Sequence, residues 1–417
     1  MKTMKSLCGM LAVLAFTACS NDSDEAAGND SHIWHVSLTA SMGDATNRAL
    51  SANGENIAAN FAQNDEVIVV DADGSTVVGT LKAQTAGGST TLSGELKNTS
   101  LADNEVVSLH YLSATPNYDG QKGRLAEISS YAVGTLKVKT KSPLTFESNS
   151  VTLAPQQSIT KFTFKSGDSD INVKTFGIAA PGLVQKGTET VGAVTGTLAT
   201  ANTEVYVALR NTSTTQQNYS FYIQDNTGNW YKGRKNATLA NGKYYTATVS
   251  MTKLSELTSS TEGTVGVIDG LPAIVISGNK AVALMNVGAL CPEHYGKYYT
   301  FANLSSLGLP TGWHVPSKDE FDVLVGKTNT WGAPNGVSGS TFTIGSEKLF
   351  LPAAGFYDNN STPTLINATW GYYWSSTSTT TEGSVYSLQF KGVITSLSFN
   401  SSKETDGLSV RPFHSLP

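Results

Sequence analysis

The amino-acid sequence predicts a mainly β protein, with two β-sandwiches in tandem followed by an α+β domain. Three observations point there. Between residues 32 and 250, short runs alternate apolar and polar side chains with period two, as half-buried strands do. Gly, Asn and Asp separate those runs at turn spacing. After residue 264 the texture changes: Trp313, Trp331, Trp370 and Trp374, four of the six tryptophans, lie there with the one convincing helix signal.

The strands can be taken in order. "HIWHVSLTAS" puts Trp34, Val36, Leu38 and Ala40 on one face and His35, Ser37 and Thr39 on the other. "DEVIVVDADGSTVVGTL" reads as two strands joined at Asp73-Gly74. "SITKFTFKS" alternates less cleanly through Ile159, Phe162 and Phe164, and "YSFYIQDNTGNWYKGRK" is a hairpin about Thr227-Gly228. "GKYYTATVSMTKL" sets Tyr245, Ala247, Val249 and Met251 against Tyr244, Thr246, Thr248 and Ser250. The whole is long for one sandwich, so it divides into 32–150 and 151–254. Residues 255–264, "SELTSSTEGT", are Ser/Thr-rich and read as a linker to a domain over 265–417.

In that last domain "GWHVPSKDEF" (312–321) predicts a helix start. Pro316 holds the preceding residue extended. Ser317 with Glu320 three residues on forms a capping box, and Asp319 and Glu320 complement the positive helix end. Phe321, Leu324 and Val325 make one apolar face, with Trp313 as an anchor. His314 has no second histidine at ligand spacing and no HExxH around it, so a structural or solvent role is expected rather than metal or catalysis.

The N-terminus is a targeting segment. Lys2 and Lys5 precede the apolar "LCGMLAVLAFTA", too short to span a bilayer. It ends in "LAFTACS", which resembles a bacterial lipobox. The resemblance implies a signal peptide over 1–18 and lipidation, with palmitate-type acyl chains, at Cys19. Removing 1–18 takes Lys2 and Lys5 away, so the net charge of −5 becomes −7. Residues 19–31, "CSNDSDEAAGNDS", form an acidic tether with nothing to bury. Acidic residues after the lipidated cysteine resemble the surface-export signal of Bacteroidota lipoproteins. Only Cys291 then remains as a free thiol, so no internal disulfide is expected, and burial as a small hydrophobe is expected for it. No Lys/Arg stripe exists to pair with phosphates, which argues against a nucleic-acid partner.

Other motifs are weak. "DADG" at 71–74 starts like a calcium loop but lacks the distal ligands, and a hairpin turn is expected. No G-x-S-x-G, P-loop or dinucleotide fingerprint occurs, and an enzyme is not expected. "GYYWSSTS" (371–378) concentrates aromatics. Core packing is the favoured reading. The alternative is a ligand platform of Trp370, Tyr372 and Tyr373 stacking on a sugar.

Two resemblances extend this reading. Residues 32–250 resemble the fimbrillin-like family, the two-domain pilins of type V pili in Bacteroidota. The carrying features are the lipobox, the early alternating strand, "TNRALS", "FAQNDEVIVV" and the closing "NGKYYTATVSM". The resemblance implies pilin-type sandwiches and cleavage by a trypsin-like surface protease between Arg48 and Ala49. Residues 265–417 resemble the Fibrobacter-type major paralogous domain, of C-type-lectin-like fold, through "GWHVPSKDEFDVL", "LPAAGFYD", "GYYWSST", "VYSLQF" and "LSVRPF". Leu309 stands where that family often has a cysteine, and no EPN, QPD or WND calcium-sugar triplet occurs; no cofactor or metal is expected.

Together these imply a surface-exported outer-membrane lipoprotein that becomes an accessory or tip subunit of a fimbrium. Cleavage after Arg48 would release the strand 32–41 and open a groove for a strand from a pilus shaft subunit. The lectin-like domain would carry adhesion to a host or bacterial surface ligand, a glycan among the candidates. The membrane is a partner through the lipid before processing. The resemblance places "SVRPF" in the last domain's closing strand, which leaves residues 414–417, too few to donate a strand, and a distal tip position is expected. The alternatives are a stand-alone carbohydrate-binding surface lipoprotein and a divergent enzyme.

Overall fold

The computed structural model describes residues 32–43, 52–53, 56–57, 60–74, 76–97, 100–187, 192–358, 364–366, 369–391 and 398–417. It is mainly β, 55% strand and 5% helix. The chain forms two compact units. Of the described residues, one holds those within 1–49, 58–114 and 130–155, and the other those within 50–57, 115–129 and 156–417. Among the described residues no helix is long and apolar enough to cross a membrane.

The sheet of the first unit closes on itself. Ser150–Pro155 pairs with Ile33–Met42, and the order continues through Ser89–Lys97, Val77–Ala83, Glu66–Val70, Val106–Tyr111 and Ala132–Lys141, which returns to Ser150–Pro155. Alternation drives this closure. Trp34, Val36, Leu38 and Ala40 point inward from the first strand and meet Leu81, Leu92, Leu96, Leu109 and Leu153 in one core, while His35, Ser37 and Thr39 face out. The Asp73-Gly74 turn forms as expected: the Asp71 side chain accepts from the Thr76 amide at 3.2 Å, and Gly74 takes the left-handed φ of 74° that the turn requires.

In the second unit, Ser158–Ser166 lies parallel to Tyr244–Lys253 inside a sheet ordered Leu183–Val184, Glu204–Asn211, Ser158–Ser166, Tyr244–Lys253, Trp230–Ala237, Gln217–Asp225, Val173–Ala179, Ala193–Asn202. The hairpin about Thr227-Gly228 is the one foreseen. Asp225 accepts from the Thr227 and Asn229 amides at 2.8 and 2.9 Å. Residues 115–129 belong to this unit, not to the first, so the expected single cut at 150/151 is replaced by a chain that leaves the first unit and returns. Tyr118 is fully buried. The Gln121 side chain takes a bond from the Ala208 amide and gives one to its carbonyl, both 2.8 Å, as an extra strand would.

The region 265–417 packs on this sheet within the same unit. Val265–Ile268, Leu271–Ser277, Lys280–Ala283, Phe413–Ser415 and Trp313–His314 form one sheet; Asn329–Gly332, Gly339–Ile344 and Glu347–Pro352 a second; Gly371–Ser378, Ser384–Phe390 and Ser398–Lys403 a third. Residues 255–264, expected to link, are tied down instead: the Leu257 amide donates to Val267 and the Val267 amide to Ser255 at 2.8 and 2.9 Å, and the Gly263 amide reaches Val275. Trp230 and Leu254 share a core with Ile274, Phe321 and Phe413. Where the two layers meet, a Cβ on Gly177 would come within 2.5 Å of the Leu290 carbonyl oxygen, so only glycine fits.

Helix α1 runs Lys318–Val325, as its cap signals require. Ser317 Oγ accepts from the Glu320 amide and the Glu320 carboxylate accepts from the Ser317 amide. Phe321 and Leu324 are buried, while Val325 is half-buried. Trp313 is buried, its indole N–H donating to the Ile268 carbonyl at 3.0 Å.

Candidate functional site

Cys19, Arg48 and Ala49 lie outside the described residues; what can be built is the slot that Ile33–Met42 fills. On one side it pairs antiparallel with Ser89–Lys97 from Ile33↔Lys97 to Ser41↔Ser89. On the other it runs parallel to Ser150–Pro155, from Thr39↔Ser150 to Met42↔Leu153. Trp34, Leu38 and Ala40 are at most 5% exposed. Burying such a Val, Leu or larger side chain contributes about 1.5–3 kcal/mol. The polar ties are modest. Ser41 and Thr152 hydroxyls lie 3.2 Å apart, Ser89 Oγ donates to the Ala40 carbonyl, and the His35–Glu95 pair at 3.5 Å is solvent-exposed. The Trp34 indole N–H is buried with no acceptor among the described residues, which costs about 1–3 kcal/mol. The strand is thus held by generic ladder bonds and an apolar row that any alternating strand could reproduce.

The three aromatics named as an alternative ligand platform do not share a face. Adjacent strand residues face opposite ways. Tyr373 turns into the core with Phe390, fully buried, its hydroxyl donating to the Pro352 carbonyl at 2.7 Å. Tyr372 turns to the other face and packs at 4.7 Å between ring centroids on Phe356. Trp370, half-buried, stacks on Tyr372 at 6.2 Å, with the Lys391 ammonium 5.4 Å above its ring. Only Trp370 of the three offers an accessible face, because core packing claims the others.

Around His314 the side chains gather on the helix cap. Its Nε2 lies 3.0 and 3.1 Å from the two Glu320 oxygens, and Lys280 reaches the same carboxylate at 3.1 Å. Burial would raise the Glu320 carboxyl, but hydrogen bonds from His314, the Ser317 amide and Lys280 outweigh it and hold it at about 2. The same bond to Glu320 raises the His314 imidazole, against the opposing effect of burial. Among the described residues no group of three or more His, Cys, Asp or Glu is placed to hold a metal. Cys291 is fully buried beside Ala179 and Ala193, and burial pushes its thiol well above the ordinary value.

Sequence reading missed three polar groups. Arg411 is wholly buried: its Nε donates to Asn286 Oδ1 at 2.8 Å and its Nη1 to the Ala283 carbonyl at 3.1 Å, and desolvation lowers it to about 10. Its signal was a lone arginine inside the apolar "LSVRPF". His294 Nε2 donates to Asp119 Oδ2 at 3.0 Å, since its Nδ1 accepts from the Gly296 amide. Asp119 also accepts from the amide and hydroxyl of Thr195, both 2.7 Å. Burial opposes ionisation of Asp119, yet the bonds from His294 and Thr195 lower it below the ordinary value. Glu293, beside it, is buried and accepts from the Asn335 amide. Nothing in the local sequence pairs residue 119 with 294 or 293 with 335.

Residues 338–413 match the model of a domain of unknown function (DUF8237). No curated protein matches the chain. Solved structures similar to it include a candidate cell adhesion protein from Bacteroides ovatus, at 14% identity and TM-score 0.30, covering 52% of this chain and 95% of that one. Another is a fimbrial assembly protein from Parabacteroides distasonis, at 12% identity and TM-score 0.29, covering 52% and 92%. A third is the tip fimbrial protein Mfa3 from Porphyromonas gingivalis with C-terminal truncation, at 10% identity and TM-score 0.26, covering 52% and 98%.

Proposed function

We propose that this protein is a surface-exported lipoprotein, anchored to the outer membrane through Cys19, that becomes an accessory or tip subunit of a type V fimbrium and is not an enzyme. Cleavage between Arg48 and Ala49 frees Ile33–Met42, and a strand from a shaft subunit takes its slot. Residues 265–417 carry the adhesive function, on the lectin-like reading of that region. The observation that supports this most is the slot itself: one N-terminal strand, fastened by ladder bonds and the row Trp34, Val36, Leu38 and Ala40, closes the sheet between Ser89–Lys97 and Ser150–Pro155.

The test is limited trypsin digestion of the lipid-free chain, followed by mass spectrometry and electron microscopy. Cleavage at Arg48, loss of the peptide through Arg48, and rebinding of a synthetic 32–43 peptide are expected. A Leu38→Ser peptide should fail to rebind. A chain that resists cutting at Arg48, or that keeps its first strand permanently after the cut, would overturn the reading. Separately, Cys19→Ala should yield an unlipidated precursor absent from the outer-membrane fraction.

A further inference from the structure

A cleft in the second unit lies between its sandwich and the region 265–417, and Trp370 is not among its lining residues. Its volume is about 830 Å³, within the ~300–1,000 Å³ of typical ligand sites. Tyr222, Lys232 and Arg234 form the sandwich wall, and Glu293, Thr341 and Phe350 stand on the other side. Two lining groups are unfinished. Glu293 is 6% exposed, yet one of its carboxylate oxygens has no hydrogen-bond partner among the described residues; the other accepts from Asn335. The buried Ser220 hydroxyl, on the sandwich wall, also lacks one. A buried carboxylate oxygen without a donor is costly, and donors from a ligand remove that cost.

We infer that this cleft is a binding site for a neutral oligosaccharide, with Glu293 and Ser220 receiving its hydroxyl groups. The charge around the cleft selects the class. Both signs line it: Lys232, Arg234 and Lys348 face Glu293 and Glu347. An anion would meet the carboxylates and a cation the Lys/Arg wall. A neutral polyol satisfies both, donating to Glu293 and accepting from the cations. Tyr222 and Phe350 offer apolar surface to the C–H face of a sugar ring. Burial raises the Glu293 carboxyl, against the Asn335 bond and the nearby Arg234 and Arg411, so ligand hydroxyls that stabilise the ionised form are favoured there.

This assigns a ligand to the adhesive part of the function proposed above, and it is independent of strand exchange, which the trypsin experiment reads separately. The test is an array of neutral and sialylated oligosaccharides probed with the full lipid-free chain, then titration of the strongest neutral binder into three variants. Glu293→Gln keeps the oxygen that Asn335 binds and turns only the free one into a donor; binding roughly 10- to 100-fold weaker at an unchanged melting temperature is expected. Ser346→Ile, at an exposed position on the cleft rim, should weaken binding several-fold even if Glu293→Gln fails to fold. Trp370→Ala should bind as the wild type does. No neutral oligosaccharide bound, binding confined to sialylated ones, wild-type binding by Ser346→Ile and every folded Glu293 variant, or loss in Trp370→Ala alone would each overturn the assignment.

Discussion

Ile33–Met42 and Phe413–Ser415 each lie between two other strands, but their fastenings differ in kind. The first is long, alternates cleanly, and is held by backbone ladders and apolar side chains, with hydroxyls and an exposed ion pair as its polar ties. The second is three residues long, between Lys280–Ala283 and Trp313–His314. It is fixed by individual chemistry: Phe413 packs edge-on against Phe321, His414 bonds Asp269 at 3.1 Å, and two residues earlier Arg411 is buried on Asn286 and the Ala283 carbonyl. Ladder bonds and an alternating row are transferable to another strand of the same pattern; a buried guanidinium aimed at one amide oxygen is not. Exchangeability is therefore a matter of which bonds hold a strand, more than how many.

The largest effect should come from the specific fastening. Arg411→Ala should destabilise the second unit by about 3–5 kcal/mol in urea denaturation, through the void and the abandoned Asn286 and Ala283 acceptors. Arg411→Lys should recover little, because a lysine cannot reproduce the fork. If Arg411→Ala were nearly neutral, the contrast between the two strands would collapse.

Leu38→Ala tests the generic fastening. It should cost about 2–4 kcal/mol and speed hydrogen exchange in 89–97 and 150–155, leaving 280–283 and 413–415 unchanged. Spread of the effect into the latter would show that the strands are not held independently.

Ser317→Ala should cost about 1 kcal/mol by removing half of the capping box of α1, without altering exchange in 33–42. The smallest effect is on pH. His314 is raised above 6.5, so its contribution is complete below that pH and is lost as pH rises through the raised value. Glu320 is depressed from 4.5 to about 2, so its contribution is complete above 4.5 and is lost as pH falls toward 2. The cap should be firmest between those limits, and His314→Gln should flatten the alkaline side of a denaturation-midpoint profile.

Strands with a solvated face were legible because their alternation is a local property: Trp34 to Ala40, and Val249 and Met251, sit as their period demands. The helix was legible for the same reason, since Ser317 and Glu320 are three residues apart. The aromatic run packs as its favoured reading had it, with Tyr372, Tyr373 and Trp374 buried, but composition does not tell which face each ring takes. Residues 255–264 misled as a linker because much of what ties them down is backbone amides, which leave no mark in the sequence, and a Lys327–Glu262 pair 65 residues apart. The cleft was invisible, since Ser220, Arg234, Glu293 and Thr341 come together only when the sandwich and the region 265–417 stack.

The placement of residues 115–129 bears on how the molecule is made. Asp119 is separated by 175 residues from His294 and by 76 from Thr195, the groups that bind it. In a chain synthesised from its N-terminus, Tyr118, Asp119 and Gln121 emerge long before anything exists to receive them. The first unit, meanwhile, closes only when residues 150–155 follow. Completion of the two units is thus interleaved along the chain. A fragment beginning at residue 156 would carry nearly all of the second unit yet lack the buried Tyr118 ring and the carboxylate that His294 and Thr195 share. Dissection by sequential truncation would therefore damage one unit in the act of isolating the other.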